Sequence, residues 1–591
     1  MHWLLFNRPR TRSAEVRGNL PGFPWALPAT PLQALIKCAP FFTRFYGAAQ
    51  QLSGRLIAIL AALVAVIAAP LLLREPQSLP GAGSDILVII SPHDEAIRYE
   101  FSRAFQETYR RKTGRGVYID WRLPGGTSDI VRYLNAEFEA AFRYKWTREM
   151  GLSWTRPVLE GFSNPRLRGS TDKSSPGDYA RYSFLHSDVG CGIDLFFGGG
   201  SFDFISFANR GFLVDSGVLD RNPAFFSSGN GIPQTLGGES YRDPQGRWVG
   251  TCLSGFGICY NSDVLGRLGI LSSPTQWTDL ADKKFFGSVA LADPTKSGSV
   301  AKVFELIIQQ QMNEQLSGLE ASGKERADLI ESRAVREGWE SGLQLLIRLA
   351  ANSRYFSGAA SKVTSDVAYG EAAAGMCIDF YGRSESEMVA DETGRTRLQY
   401  NNVTGGTSVG ADSIGLLRGA PHPETAKAFL DFVLSIEGQK LWNFKPGTPG
   451  GPVRYSLRRL PVRREFYQQP LRSFMTDGGV DPYRDAQAFH YHQSWTAPLF
   501  STLRFLVRVM CIDPREELVA ARAAIGDAPL NSPAFQKLLD VSRVRYEIAL
   551  QEIAATLRSA DRLDEVRLAE SLTTHFRNQY REAERIARNS R

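Results

Sequence analysis

The chain has 591 residues, 43 % of them apolar, and a formal charge of +7. Such a length holds more than one domain and a large core, and the apolar share is ordinary for globular chains. Residues 1–80 carry eight Lys/Arg against two acidic residues, so +6 of the +7 lies there. A nucleic-acid role therefore finds no support, because it needs a basic face on the folded domain.

Residues 1–54 are rich in Pro, Gly and Arg with weak periodicity and read as a cytoplasmic arm. Residues 55–74 read as a membrane anchor or signal segment: the 18 residues 56–73 are apolar and uncharged, lie between Arg55 and Arg74, and are just long enough to span the inner membrane. Basic residues before them favour an inside N-terminus and an exported remainder, hence a periplasmic protein, either anchored or released by signal cleavage. Five of the six cysteines follow this segment, an odd number, and no Cys-x-x-Cys or His-x-x-x-His pair marks a zinc site.

The next 170 or so residues have βαβ rhythm. Residues 85–90 (DILVII) form an apolar run of the kind buried in parallel sheets. It ends at Ser91-Pro92-His93-Asp94-Glu95, and a helix follows with Ile97, Phe101, Phe105 and Tyr109 inward. Residues 116–122 form a second strand ending in a glycine-rich loop, 124–129, and Ile130, Leu134 and Phe138 mark the next helix. Residues 140–188 break the rhythm and read as an insertion. The pattern resumes at 193–197 (IDLFF), runs into Gly198-Gly199-Gly200-Ser201, and continues as a helix with Phe204 and Phe207 inward. Open α/β sheets bind ligands at such strand ends.

Residues 248–261 read as one long strand with interior glycines, able to cross between lobes. Residues 289–300 (VALADPTKSGSV) are a strand, a turn at Asp293-Pro294, and a helix start bearing Thr295, Ser297 and Ser299. A helix start of this kind is either an ordinary N-cap or an anion site. Residues 314–336 read as a charged surface helix and 338–349 as an amphipathic one. Residues 374–379 form a strand leading to Phe380-Tyr381-Gly382, 413–417 a strand returning to the first lobe, and 423–441 a broken helix. Residues 484–591 read as two or three charged amphipathic helices that dock a partner or wrap the first lobe; His490 and His492 within them read as structural. No repeat, P-loop or Gly-x-Ser-x-Gly elbow occurs, so an enzyme is the less favoured class.

Taken together, 193–201, 252–261 with its Tyr-Asn ending, 277–280, 292–298 (ADPTKSG) and 423–441 resemble the substrate-binding proteins of bacterial ABC transporters, nearest to the ferric-ion-binding branch. The resemblance implies a two-lobed α/β fold of the type II periplasmic binding proteins with two strand crossovers. Lobe 1 would comprise residues 85–250 plus 410–480 and lobe 2 residues 260–400, with crossings near 252–257 and 400–407 and a helical extension over 484–591. It also implies a ligand held between the lobes, hinge closure, and delivery to an ABC permease and its ATPase.

Ferric-ion binders of that family use a histidine, a glutamate and two adjacent tyrosines. Here His93 matches the histidine and Tyr381 one tyrosine; Phe380 replaces the other, and 198–201 offer no carboxylate. His93 and Tyr381 are thus the candidate metal ligands, with Fe3+ as a possible ligand and no resident cofactor expected. The strand-end loops instead collect backbone N–H groups and hydroxyls, which favour a small anionic solute, a phosphorylated or carboxylated metabolite. The candidate binding residues are Ser91 and His93 after the first strand, Gly126 and Thr127 after the second, and Gly200 and Ser201 after the third. From the second lobe come Thr295, Ser297, Gly298, Asp379 and Tyr381, and from the second crossing Thr407. Arg383 is a further candidate partner for a ligand carboxylate. Alternative readings are a ferric-iron-binding transport protein, taking up a ferric complex, and a membrane-tethered solute sensor.

Overall fold

The computed structural model describes residues 62–63, 83–227, 229, 231–322, 326–559 and 561–590. The chain divides into two units, Met1–Leu79 and Pro80–Arg591. The expected arm at 1–54 and, apart from Ala62 and Leu63, the expected membrane segment at 56–73 lie outside the described residues. All that follows concerns the second unit.

Its first strand sets the pattern. β1 (Asp85–Ile90) is apolar at every position after the first, and its side chains alternate between two cores. Leu87 and Ile89 join one cluster; Val88 and Ile90 join another on the opposite face. A strand that buries both faces needs helices on both sides, and the chain supplies them. α1 (Glu95–Thr113) begins where the Asp94 carboxylate accepts from the Ile97 amide, and ends at Gly114 in the left-handed conformation. It leads to β2 (Val117–Arg122), parallel to β1. α2 (Thr127–Tyr144) covers the other face and continues into the insertion. There Trp146, Phe162 and Phe184, with helices Arg156–Gly161 and Pro176–Leu185, build an aromatic cap on the second cluster.

β3 (Leu195–Gly200) returns parallel to β1, and α3 (Ser201–Arg210) starts directly from it. The short β4 (Leu213–Val214) and the hairpin of β5 (Thr235–Leu236) and β6 (Glu239–Ser240) precede β7 (Trp248–Ser254). A single residue, Gly255, separates β7 from β8 (Phe256–Asn261), yet the two strands belong to different sheets. Lobe 2 then adds β9 (Val289–Ala292), the helices α4 (Gly298–Ser322) and α5 (Ala327–Ala351), β10 (Ser353–Ser357), α6 (Ala360–Ala368), β11 (Ala374–Ile378), α7 (Asp379–Met388) and β12 (Leu398–Asn402). Its sheet runs β10-β9-β11-β8-β12. β13 (Gly410–Leu417) carries the chain back to the first sheet. There α8 (Pro423–Leu434), α9 (Ile436–Asn443) and β14 (Leu460–Pro461) complete the order β14-β7-β13-β3-β1-β2, with β4 beside β13. The fold is the two-lobed α/β architecture of type II, crossed twice.

The two crossings are tied together. The Phe256 amide donates to Thr407 Oγ1 at 3.0 Å, and Trp277 Nε1 donates to the Gly406 carbonyl at 2.8 Å.

The C-terminal extension does not wrap the first lobe, contrary to one expectation for it. It wraps the second lobe and shares one continuous core with it. Beyond its entry segment its main helices are α10 (Phe500–Val507), α11 (Arg515–Ile525) and α12 (Arg562–Asn589). Trp339 of α5 donates to the Val544 carbonyl at 2.9 Å and Trp495 to Glu331 at 2.8 Å. The apolar run Gln493–Ile512 is long enough to cross a membrane by composition, and 67 % of it is buried within the protein. As expected, the described residues of 314–336 are mainly helical and largely exposed, at the end of α4 and the start of α5, although Ala334 and Val335 are buried.

Candidate functional site

A cavity of about 550 Å³ lies between the two sheets, at the carboxyl ends of their parallel strands. Four helices begin on it, α2 and α3 from lobe 1 and α4 and α6 from lobe 2. No side chain caps the starts of α3 or α6, and at α2 the Asp129 carboxylate accepts only from the Gly126 amide, at 3.0 Å. At α4 the Ser297 hydroxyl makes only a 3.4 Å contact with the Val300 amide. The first N–H groups of a helix have no partner inside it and carry partial positive charge, so four sets of donors meet a single space.

Of the candidate binding residues, the fold brings eight to this cavity: His93, Gly126, Thr127, Gly200, Ser201, Ser297, Gly298 and Tyr381. The lobes are close there. A Cβ added to Gly298 would stand 3.9 Å from Thr127 Cβ and 3.8 Å from Asp203 Oδ2, both across the cleft.

The glycine run of β3 has a steric cause. Gly198 and Gly199 have φ of +100° and +115°, where a side chain is strained. A Cβ at 198 would lie 2.7 Å from His93 Nε2, and one at 199 would lie 2.8 Å from Thr127 Cγ2. A carboxylate residue does not fit at either position, and the glycines are what let His93 and Thr127 reach the cavity.

Four candidates do not reach it, because each is spent on its own backbone or hinge. Ser91 is fully buried and its hydroxyl accepts from the His93 amide at 3.1 Å. Thr295 donates its hydroxyl and amide to Asp293 Oδ1 at 2.7 and 2.8 Å, closing the turn before α4. Asp379 is buried against Arg383 at 3.0 Å and accepts from the Phe380 amide. Thr407 accepts from Phe256. Asp379 and Thr407 face a separate cavity of about 270 Å³ behind the crossings. Arg383 is no ligand partner either: Asp379 and Asp477 hold it in the interior.

Sequence reading missed the charged groups. Arg459, just before β14, lies on the cavity with Asp412 of β13 as its ion-pair partner, and its guanidinium sits 3.9 Å from the Phe380 ring centroid. Lys302 of α4 bridges Glu239 and Glu305, at 2.9 Å from each. Asp203 in the first turn of α3 is half-buried on the cavity wall, and desolvation there raises its carboxyl to about 6, against the pull of Arg504. A basic pair, Arg458-Arg459, directly ahead of a short apolar run was the available signal for Arg459.

His93 is 5 % exposed, and neither of its ring nitrogens has a hydrogen-bond partner in the protein; Asp412 Oδ2 stands 4.0 Å from Nε2. Burial, then Arg459 and Arg98, push its pKa well below the ordinary value, so the ring is neutral. Ser254 Oγ and Arg459 Nε on the same wall are also unpartnered. Burial likewise raises the Tyr381 phenol. Among the described residues no group of three or more His, Cys, Asp and Glu side chains gathers in metal-binding geometry.

Residues 193–456 match the family model of the bacterial extracellular solute-binding proteins. An uncharacterised protein of Haemophilus influenzae is 24 % identical over 209 residues, 34 % of this chain and 51 % of that protein. The phosphoglycerate transport regulatory protein PgtC of Salmonella typhimurium is 22 % identical over 226 residues, 38 % of this chain and 45 % of that protein. The chain therefore spans about half the length of the curated relatives it matches. Among solved structures, the periplasmic binding protein AfuA of Actinobacillus pleuropneumoniae, with exogenous fructose-6-phosphate bound, aligns over 68 % of this chain and 93 % of its own at 17 % identity and a TM-score of 0.41. Residues 193–456, which run from β3 through both crossings to the segment before β14, are thus similar to the bacterial extracellular solute-binding proteins.

Proposed function

We propose that the protein captures a small anionic organic solute, a phosphorylated or carboxylated metabolite, and delivers it unaltered to an ABC permease and its ATPase. The observation that carries this reading is the meeting of four helix starts from both lobes on one cavity. Anions bind at such starts through backbone N–H groups and the helix dipole. The neutral His93 and the Ser254 hydroxyl add unpartnered polar atoms. The carboxylates of Asp203, Asp412 and Glu239 on the same walls suit the hydroxyls of a polyol, so an anionic head on a hydroxylated body fits best. A relative named for phosphoglycerate transport regulation accords with this chemistry.

Ferric iron fits less well. A hard trivalent ion wants several anionic oxygens. This cavity offers one raised phenol and an unpartnered imidazole, and of its carboxylates Asp412 is already held by Arg459, Glu239 by Lys302 and Asp129 by Arg132. In this reading the chain works in the periplasm, held to the inner membrane through residues 56–73 or freed from it.

The test is native mass spectrometry and thermal shift on the full-length chain with inorganic phosphate, 3-phosphoglycerate, fructose 6-phosphate, citrate and Fe3+ as probes. A phosphorylated or carboxylated organic probe should raise Tm, since it binds only the folded form. A hundredfold excess over Kd is worth about 2.7 kcal/mol. Retained iron with phenolate absorption, or no response to any organic anion, overturns the reading.

A further inference from the structure

The C-terminal extension is bound to lobe 2, yet it touches lobe 1 at both ends of the cleft. On the hinge side, the Tyr491 amide donates to the Gly237 carbonyl at 2.8 Å. The Tyr491 hydroxyl donates to Glu305 of α4 at 2.8 Å, and its ring lies 3.3 Å under the Lys302 ammonium. Lys302 in turn holds Glu239 of the lobe 1 hairpin. On the cleft side, Phe500 is 5 % exposed and forms part of the cavity wall, with its ring centroid 4.3 Å from that of Phe202 in α3. One turn further on, Arg504 spans the lobes: Nε donates to the Pro294 carbonyl at 2.8 Å, and Nη2 to the Thr295 carbonyl at 2.9 Å and to Ser128 Oγ at 2.8 Å. Pro294 and Thr295 belong to lobe 2; Ser128 is the second residue of α2 in lobe 1.

We propose that the extension is a clasp built into the solute site: it rides on lobe 2, walls the cavity with Phe500, and through Arg504 grips Ser128 of lobe 1 only when the lobes are shut. The fold requires such an effect. With two carbonyls of lobe 2 already holding it, Arg504 is pre-oriented, so its third bond is the one that hinge opening must break. Opening also parts Phe500 from Phe202 and leaves both rings in water, which costs apolar contact. The third joint, at Tyr491 and Gly237, lies near the crossings and moves little in a hinge rotation. The extension thus favours closure before any solute arrives, and Phe500 limits the length of solute the cavity accepts. That size limit rests on the cavity being the solute site; the clasp itself does not.

The experiment is a spin-label distance measurement on the full-length chain in detergent. Labels go on Tyr144→Cys of lobe 1 and Leu271→Cys of lobe 2, both exposed, with Cys38→Ser and Cys191→Ser so that neither native thiol takes up label. Without added solute, the parent should give one dominant closed distance. Arg504→Ala and Ser128→Ala should each raise the population of a second, open distance several-fold. Ser128→Ala removes only the lobe 1 acceptor, so it keeps the test valid if Arg504→Ala misfolds. Phe500→Ala should open the distribution and let 3-phosphoglycerate and longer phosphorylated sugars bind with more equal affinity. If Ser128→Ala and Arg504→Ala leave the distances of a folded protein unchanged, the clasp is wrong even if organic anions bind. If the distances respond and no organic anion binds, the clasp stands and the proposed solute class falls.

Discussion

The two lobes solve the burial problem differently. In lobe 1 the sheet separates two cores, and every alternate residue of β1 and β3 changes sides: Leu87, Ile89, Leu195 and Phe197 on one, Val88, Ile90 and Phe196 on the other. One face is closed by α2, α3 and the insertion, the other by α1 together with α8 and α9, which follow lobe 2 in the chain. In lobe 2 the sheet, α4 and α5 share a single core with residues more than 150 positions downstream in the extension, down to Ala587. The cores of lobe 1 are complete by Ala486, whereas lobe 2 borrows its outer layer. The lesson is that the extension is structural first, and that its reach to the cleft comes from where lobe 2 needs covering.

The strongest attack on this comparison is deletion of residues 487–591. It should strip lobe 2 of that layer while lobe 1 keeps its own. Hydrogen exchange should then report lost protection in β9 and β11 and near-native protection in β1 and β3; equal loss in both would refute the asymmetry. A point version is Trp339→Ala. Trp339 is fully buried and donates to Val544 in the extension, so the change should cost about 3–5 kcal/mol in a denaturant melt.

Within lobe 1, Gly198→Ala should cost about 2 kcal/mol or more, since it forces a Cβ into a strained conformation and against His93. It should also displace the imidazole, so solute binding should weaken beyond what the loss of stability explains. A variant that binds normally would show that His93 is not a contact.

Titration tests the seam between Asp203 of lobe 1 and Arg504 of the extension. Desolvation raises the Asp203 carboxyl to about 6. Its folded pKa then exceeds its unfolded value near 4, so the folded state binds more protons in that window, and this group's contribution to stability is lost as pH rises from about 4 to about 6. His93, held neutral, acts in the opposite direction, losing stability as pH falls below about 6.5. The quantity to measure is therefore the difference between Asp203→Asn and the parent. The variant should gain on the parent by about 1–3 kcal/mol between pH 4 and 7, and a flat difference would contradict the desolvation of that carboxyl. The smallest expected effect is Tyr381→Phe. For an organic anion it removes one hydroxyl and should weaken binding by about 1 kcal/mol; loss of all binding would instead favour a phenolate-held metal.

Much of the first sheet was legible because buried parallel strands must be continuous apolar runs, and DILVII and IDLFF stand out as such. The cleft loops were legible for a related reason: helices that start at strand ends declare themselves by Gly, Ser and Thr. What could not be read was whether a given hydroxyl is free. Ser91, Thr295 and Thr407 look no different in sequence from Thr127, Ser201 and Ser297, yet the first three are consumed by a neighbouring amide or carboxylate. Asp379 and Arg383 face the same difficulty, being one helical turn apart and able to satisfy each other.

By itself the sequence determined the periodicities, the order of strands and helices, and the places where backbone N–H groups must be left open, because these depend on neighbours along the chain. Only the tertiary structure decided which charges share the cavity and which lobe the extension covers. Asp412 and Arg459, or Ser128 and Arg504, are separated by 47 and 376 residues. Nothing local fixes such pairs: they form because closing the sheets and burying one lobe's apolar surface brings them together.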